Sequence, residues 1–366
     1  MNRRILLLTP HLKGPGGVTN YYNALDLKHY LPVDYFYVNK PQSQNAVGTI
    51  LRLLTNYLKF IVLMFGRTYG LIHLNPSLDK KSYFRDALFI AISRIFKKKC
   101  IVFFRGWEDD FEEGIKASSL KLSIFKNTYA KADIFIVLGK LFKEKLVGLG
   151  VATDKKFYVE STVADDSYME NFDLEAKLEQ FHSKKVCFLF ISRILKEKGI
   201  YIALEAYEKI QERFPAITFE FIIAGDGPDL QEVKEYVSER DLQGIQFTGY
   251  IREEAKANVL TQAHILLFPT NYGEGLPNCI LEGMLYGMPV ITREVAAITD
   301  IIKPGVNGYI TKSLRTADFV DGISQLVENE TLYLQVSRTN YRQANEKFTR
   351  KKVRNRITKI YESVLL

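Results

Sequence analysis

The feature that most constrains this chain is an alternation, made twice. Short, almost wholly apolar runs are separated by longer amphipathic stretches. In the first series the runs are Arg4–Pro10, Val33–Val38, Gly70–Pro76, Cys100–Gly106, Ile134–Gly139 and Lys156–Ser161, with helix-length segments such as 80–97 and 117–131 between them. In the second they are Val186–Ser192, Phe219–Gly225, Ile245–Gly249, His264–Thr270 and Pro289–Thr292, joined by helical stretches such as 199–214 and 230–240. Continuous apolar strands that alternate with helices predict parallel sheets covered on both faces. The expected fold is therefore α/β, with two Rossmann-like, doubly wound domains facing a cleft.

Length agrees, because 366 residues exceed one ordinary core and suit two domains. Around 165–183 the apolar periodicity fades into a polar, acidic stretch, which reads as the boundary. The expected domains are 1–165, completed by a C-terminal helix over 349–366, and 183–345. The apolar fraction of 47% and charged fraction of 25% exclude disordered and low-complexity classes. Cys100, Cys187 and Cys279 are far apart and form no CxxC pair, so a disulfide framework or thiolate zinc site is not expected. Residues 1–10 hold only four consecutive apolar residues, too few for a secretory h-region, and no stretch is expected to span a bilayer. These features predict a cytoplasmic protein.

The net charge of +8 is unevenly spread. Residues 1–182 carry 26 Lys and Arg against 19 Asp and Glu; 183–337 carry 15 against 21; 338–366 carry 9 against 2. Such a basic surface serves nucleic acid, an anionic membrane or phosphorylated ligands. No nucleic-acid-binding signature accompanies it, so nucleic acid is not an expected partner.

Three loops carry candidate chemistry. After the first strand, glycines at 14, 16 and 17 let the backbone approach a ligand at a helix start, which suits a phosphate. A plain glycine turn explains the same residues equally well. After the first strand of the second series, Arg193 and Lys198 flank a loop that enters a helix near Gly199. Their fields would add on one anion, with pyrophosphate the obvious candidate. Lys196 and Glu197 read as surface residues. The densest segment runs from Pro269 to Ile291, where Glu274 lies between Gly273 and Gly275, and Pro277 stiffens the entry of a helix beginning near Asn278. Glu282 falls in that helix's first turns. Two carboxylates at a strand-to-helix turn can accept hydrogen bonds from several hydroxyls, as a sugar or ribose requires.

In order, Arg193 with Lys198–Gly199, Ala224–Pro228, Gln246–Tyr250, Glu274–Glu282 and Gly287–Ile291 resemble the nucleotide-sugar half of retaining glycosyltransferase family 4, which has the GT-B fold. The resemblance extends from the glycine loop at 14–17 to the stretch Pro304–Ile310. It implies a metal-independent hexosyltransferase using a UDP- or GDP-linked sugar, with no further cofactor. Arg193 and Lys198 would hold the donor diphosphate, helped by amides of Gly16 and Gly17. Together with Glu274, which would contact the donor sugar, they are the candidate catalytic groups. Gly275, Leu276, Pro277 and Asn278 would lie beside that sugar, Glu282 would accept the ribose hydroxyls, and Gly249 and Tyr250 would border the base. The acceptor implied is a glycan or lipid-linked glycan of surface polysaccharide assembly, reached at the inner face of a membrane. Other enzymes of this fold, such as a sugar-nucleotide epimerase or hydrolase, and a silent nucleotide-sugar binder stay open as alternatives.

The chain departs from the family's pattern at three places. Arg105 stands where many members have a histidine facing the donor sugar; Val159–Tyr168 replaces a Pro-Asn-Gly turn; Gly283 replaces an alanine. Arg105 is a candidate sugar or phosphate contact, and the neighbouring Trp107 could stack on an acceptor sugar. His11 and His73 sit on strands, where a lone histidine is more often structural than functional. Segment 51–67 is apolar with scattered Arg and Lys. It reads first as a core-facing helix, with an amphipathic membrane surface as the alternative.

Overall fold

In the computed structural model, residues 4–14, 16–39, 46–66, 68–181, 185–273 and 275–365 are described. The chain divides into two units. Unit 1 comprises 1–162, 273–275 and 350–366, and unit 2 comprises 163–272 and 276–349.

Unit 1 holds a parallel sheet of β1 (Arg4–Thr9), β2 (Val33–Tyr37), β3 (Tyr69–Leu74), β4 (Lys99–Phe103), β5 (Ile134–Val137) and β6 (Lys156–Val159). Their order in the sheet is β2-β1-β3-β4-β5-β6. The central strands are sealed on both faces, as in Ile5–Leu8, Leu71–Leu74 and Cys100–Phe103, which matches their unbroken apolar runs. Counting only helices of eight residues or more, α1 (Gly17–Leu25) follows β1, α2 (Ala46–Phe65) joins β2 to β3, and α3 (Tyr83–Ile95) joins β3 to β4. After β4 come α4 (Asp109–Lys116) and α5 (Ser119–Asn127), and α6 (Lys140–Gly148) joins β5 to β6.

Unit 2 begins with α7 (Leu174–Phe181). Its sheet is built from β7 (Lys185–Ile191), β8 (Thr218–Ala224), β9 (Ile245–Gly249), β10 (Ile265–Phe268), β11 (Val290–Arg293) and β12 (Gly308–Thr311), all parallel in the order β9-β8-β7-β10-β11-β12. The crossovers include α8 (Ile200–Arg213), α9 (Leu230–Glu239), α10 (Glu253–Gln262) and α11 (Asn278–Leu285), followed by α12 (Thr316–Glu328) and α13 (Glu330–Lys347). The last helix, α14 (Arg350–Leu365), belongs to unit 1, where Arg356 pairs with the buried Glu160 at 2.9 Å and Tyr361 bonds His73 at 2.7 Å.

Two sequence expectations are corrected. The stretch 165–183, read as the domain boundary, falls within unit 2, where 174–181 form α7. Its buried residues Leu174, Lys177, Leu178 and Phe181 fall at helical spacing. The inward lysine hid the pattern. Lys177 donates to the carbonyls of Leu260 and Tyr286, each at 2.8 Å, and burial pushes its ammonium down to about 7. The second correction concerns α2, whose stretch Gly48–Phe65 is long and apolar enough to cross a membrane, with a mean hydropathy of 1.4. It is not a simple core-facing helix either. Phe60 and Met64 are buried, but Leu51, Leu54, Leu58, Val62 and Phe65 are 55–75% exposed.

Candidate functional site

In a doubly wound sheet, ligands bind at the carboxyl ends of the strands, where the strand order reverses. In unit 2 that point lies between β7 and β10. The loop after β7 is clamped by the glycine-rich turn that follows β8. Ser192 N–H donates to Ala224 O, and Ile194 N–H to Asp226 O, both at 3.0 Å. A Cβ on Gly225 would fall 1.8 Å from the Ser192 carbonyl, and one on Gly227 2.2 Å from that of Ile194. Only glycine permits this approach, which explains the Ala224–Pro228 motif.

The clamped loop ends at Gly199, whose φ of 84° is the left-handed region that favours glycine. A Cβ there would also meet Pro269 O at 2.1 Å. Gly199 therefore lets the first turn of α8 pass beside the chain leaving β10. The result brings Arg193 and Lys198 together over one ring. The Lys198 ammonium lies 4.1 Å from the centroid of Tyr272 and the Arg193 guanidinium 5.7 Å from it, with Arg193 Nη2 donating to the Tyr272 hydroxyl at 3.4 Å. Lys198 is buried and Arg193 exposed. Two cations, held by an aromatic face at a helix N-terminus, make a receptor for a dianionic group. Tyr272 was missed in the sequence, although it sits inside the segment 269–291. Arg293 was missed as well. It bonds Asn271 and the carbonyls of Lys312 and Ser313, and so ties down the chain just before Tyr272.

Leu276, Pro277 and Asn278 form the entry to α11. Pro277 takes a φ of −65° as the residue before the helix, and Leu276 is buried. Glu282 lies on α11, 7% exposed, and Lys256 on α10 donates to its Oε1 at 2.8 Å. Lys256 also stands 3.5 Å from Asp165. Burial alone would lower the Lys256 pKa, but the two carboxylates outweigh it and hold the ammonium above its ordinary value. Sequence gave no signal for Lys256. Asp165 comes from the segment that replaces the family's Pro-Asn-Gly turn. At the end of β9, Gly249 has a φ of 68° and accepts a bond from Gly225 N–H at 2.8 Å, while Tyr250 is 55% exposed with the Arg252 guanidinium 4.7 Å from its ring. Glu274 lies outside the described residues.

In unit 1 the strand order reverses between β1 and β3. Gly16, with a φ of 136°, precedes α1, and a Cβ on Gly16 or Gly17 would meet nothing within 4 Å. The space on the side-chain side of both glycines is open. Beside them lies a cavity of about 210 Å³ whose lining includes Thr9, Asn39, Asn75, Ser77, Arg85 and Asp86. Arg85 and the buried Asp86 form a two-pronged pair at 2.7 and 2.9 Å, and Arg85 also donates to Asn39 at 3.2 Å. The Thr9 hydroxyl is buried and has no partner among the described residues.

Arg105 follows β4. Its guanidinium sits 4.1 Å from the Tyr21 centroid and 4.3 Å from that of Phe103, and its Nη1 has no hydrogen-bond partner among the described residues. Within the same unit, a Cβ on Gly275 would come 2.8 Å from the Arg105 carbonyl, and one on Gly273 2.8 Å from that of Trp107. Both glycines are therefore required by close packing. The stacking role expected of Trp107 is corrected. Its ring is 4% exposed among Phe104 and Phe142, and its Nε1–H donates to Glu112 at 2.7 Å, so no face is left for a sugar. His73 is fully buried, bonded to the hydroxyls of Tyr22 and Tyr361; burial, then the Arg105 charge, push its pKa down to about 3. His11 stacks on Tyr37 at 4.5 Å.

The fold and both switch points define a two-unit, parallel α/β protein of the GT-B class. Residues 172–347 match the family described as glycosyl transferases group 1. Over that stretch the chain resembles the glycosyltransferase family 4-like proteins of this fold. Among curated relatives it is 27% identical over 145 residues to alpha-D-kanosaminyltransferase of Streptomyces kanamyceticus, covering 39% of this chain and 37% of that protein. It is 24% identical over 238 residues to phosphatidyl-myo-inositol mannosyltransferase of Mycobacterium tuberculosis, covering 60% of this chain and 61% of that one. The chain thus matches less than two thirds of the length of either relative. Among solved structures, Anabaena Alr3699/HepE in complex with UDP and glucose superposes with a TM-score of 0.70 at 15% identity, covering 99% of this chain and 100% of that one.

Proposed function

We propose that this chain transfers a glycosyl unit from a UDP- or GDP-linked sugar to a glycan or lipid-linked acceptor, with retention of anomeric configuration. The observation that carries this reading is the convergence of Arg193 and Lys198 on Tyr272 at the unit 2 switch point. Supporting it are the family match and a similar fold solved with UDP and glucose. The C1–O bond to the diphosphate breaks while the acceptor oxygen bonds C1 on the same face. The acceptor proton passes to the departing diphosphate. Arg193 and Lys198 stabilise the charge that grows on that diphosphate, as preorganised donors do elsewhere at large rate benefit. The reading assigns this task to the two cations, with no metal ion. Lys256 holds Glu282 Oε1, which leaves Oε2 to accept the ribose hydroxyls.

Gly16 and Gly17 leave room for a phosphate at the start of α1. Arg105, whose Nη1 has no hydrogen-bond partner among the described residues, contacts a sugar or phosphate oxygen. The cavity at Thr9 and Arg85 receives acceptor hydroxyls. The setting we assign is surface polysaccharide assembly at the cytoplasmic, inner face of a membrane. The test is a panel of UDP-, GDP- and ADP-sugars, followed by nucleoside-diphosphate release with and without acceptor extract. Release with one donor, stimulated by acceptor, supports transfer. Release unaffected by acceptor points to a hydrolase, and binding without release to a silent binder. Glu274→Gln is expected to keep donor binding and lose most transfer; full turnover would remove Glu274 from the reaction.

A further inference from the structure

Among the described residues, the outer surfaces of α2 and α3 expose a row of large apolar side chains. Leu51, Leu54, Leu58, Val62 and Phe65 make one stripe along α2, spaced three or four residues apart, and α3 adds Phe84, Leu88 and Ile95, each 44–75% exposed. The two helices are held side by side by Tyr57 against Phe89 at 4.8 Å and by Phe65 against Phe96 at 4.8 Å. Both cover the same face of the unit 1 sheet, because both are crossovers running in one direction across it.

Around this patch, residues 46–66 and 79–99 carry nine Lys and Arg against Asp79 and Asp86. Asp86 is buried against Arg85. The cations gather at both ends of the helices: Lys80 and Lys81 at one, Arg94, Lys97, Lys98 and Lys99 at the other, with Lys59 along α2. Although Gly48–Phe65 has the length and composition of a membrane span, α2 cannot serve as one here. It is tethered at both ends to strands of the same sheet, with Phe60 packed against Phe36 and Phe89 and Met64 buried. An apolar stripe rimmed by cations on a helix that cannot leave its sheet is the chemistry of an interfacial contact.

We propose that the α2–α3 face docks on an anionic phospholipid bilayer, with Leu54, Leu58, Val62 and Phe65 entering the acyl boundary and the lysines meeting the headgroups. This deepens the proposed function by naming the surface that would bring the chain to a membrane-borne acceptor, though the docking itself does not depend on transfer. Charge complementarity decides the occupant. A second copy of this chain would set these lysines against their own counterparts, whereas anionic lipid neutralises them.

The experiment is co-sedimentation of the full chain with phosphatidylglycerol-rich and pure phosphatidylcholine vesicles at low and at about 0.5 M salt. Sedimentation is expected with the anionic vesicles alone, weakened by salt. Leu58→Ser with Val62→Ser, and separately Lys97→Glu with Lys99→Glu, should each weaken it at least about tenfold. All four residues are exposed, so thermal midpoints should not fall. Absent sedimentation, equal binding to both vesicles, or variants that bind like the parent would each overturn the proposal. So would a parent that self-associates without binding vesicles and turns monomeric in the Leu58/Val62 variant. Nucleoside-diphosphate release measured without vesicles should be the same in all variants. Loss of release in the parent, with docking intact, would count against the proposed reaction and leave the docking standing.

Discussion

The two switch points are built on the same principle and furnished differently. In unit 2, two cations, Arg193 and Lys198, converge on the ring of Tyr272 beside a helix N-terminus, an arrangement that favours a ligand anion. In unit 1, the cation facing the cavity, Arg85, is already matched by Asp86 at 2.7 Å, and the remaining lining is hydroxyl and amide. One site is therefore suited to a diphosphate and the other to neutral hydroxyls. Similar parallel sheets acquire different ligands through a handful of side chains at the strand ends. A further contrast lies on the crossovers that return from each edge strand. The outer face of α2 is apolar, whereas α10 exposes Glu253, Glu254, Asn258, Thr261 and Gln262. Of these two crossovers, α2 is the one with an apolar outer surface.

The largest effect should come from the unit 2 cations. Arg193→Ala or Lys198→Ala should lower the transfer rate constant by roughly 10²–10³-fold. Arg193→Ala, at an exposed position, should leave thermal stability within about 0.5 kcal/mol. A retained rate would break the contrast at its charged end.

The opposite pattern is expected in unit 1. Asp86→Ala strands Arg85 in a buried pair and should cost about 3–5 kcal/mol of stability by denaturant unfolding, because removing one partner leaves an uncompensated charge. A loss under 1 kcal/mol would mean the pair does not shape the cavity.

Acid should weaken both units alike. Burial lowers His73 and His264 to about 3 in the fold, against an ordinary 6.5. The unfolded chain then binds protons that the fold refuses. Stability is full above pH 6.5 and falls between 6.5 and about 3, by up to about 1.4 kcal/mol per pH unit for each histidine. Unfolding followed against pH in His73→Gln should show a shallower fall, and an unchanged slope would contradict the burial account.

Smaller effects separate the two sites by substrate. Lys256→Met should loosen Glu282 and raise the donor Kd about tenfold, near 1.4 kcal/mol, with the acceptor KM unmoved. Thr9→Val replaces a buried, unbonded hydroxyl and should raise only the acceptor KM, a few-fold, for about 1 kcal/mol. A donor effect from Thr9→Val would erase the distinction.

Much of this was legible in the chain. The strands were plain because each is buried on both faces, which leaves unbroken runs such as Val186–Ile191. Arg193, Lys198 and Gly199 could be read because local spacing fixes them on one strand-to-helix turn. What could not be read depends on partners far apart in sequence. Tyr272 lies 79 residues from the guanidinium that bonds it, and Lys256 lies 26 from Glu282. Trp107 looked available because loop aromatics usually are; Glu112, one turn into α4, takes its N–H and turns the ring inward. The α7 helix was obscured by a lysine at a core position, which only the carbonyls of Leu260 and Tyr286 make tolerable. For α2, apolar residues on every face gave a correct helix but no indication of which face would be left outside.

The most direct test follows one anomerically pure donor to product. The chain is incubated with α-linked UDP- and GDP-sugars and a lipid-linked glycan extract, and products are followed by proton NMR. The account predicts one nucleoside diphosphate released for each α-linked glycoside formed, and neither product in Arg193→Ala. A β-linked product would contradict retention. Failure of every donor to be consumed, with the chain folded and binding UDP, would contradict the transferase reading itself.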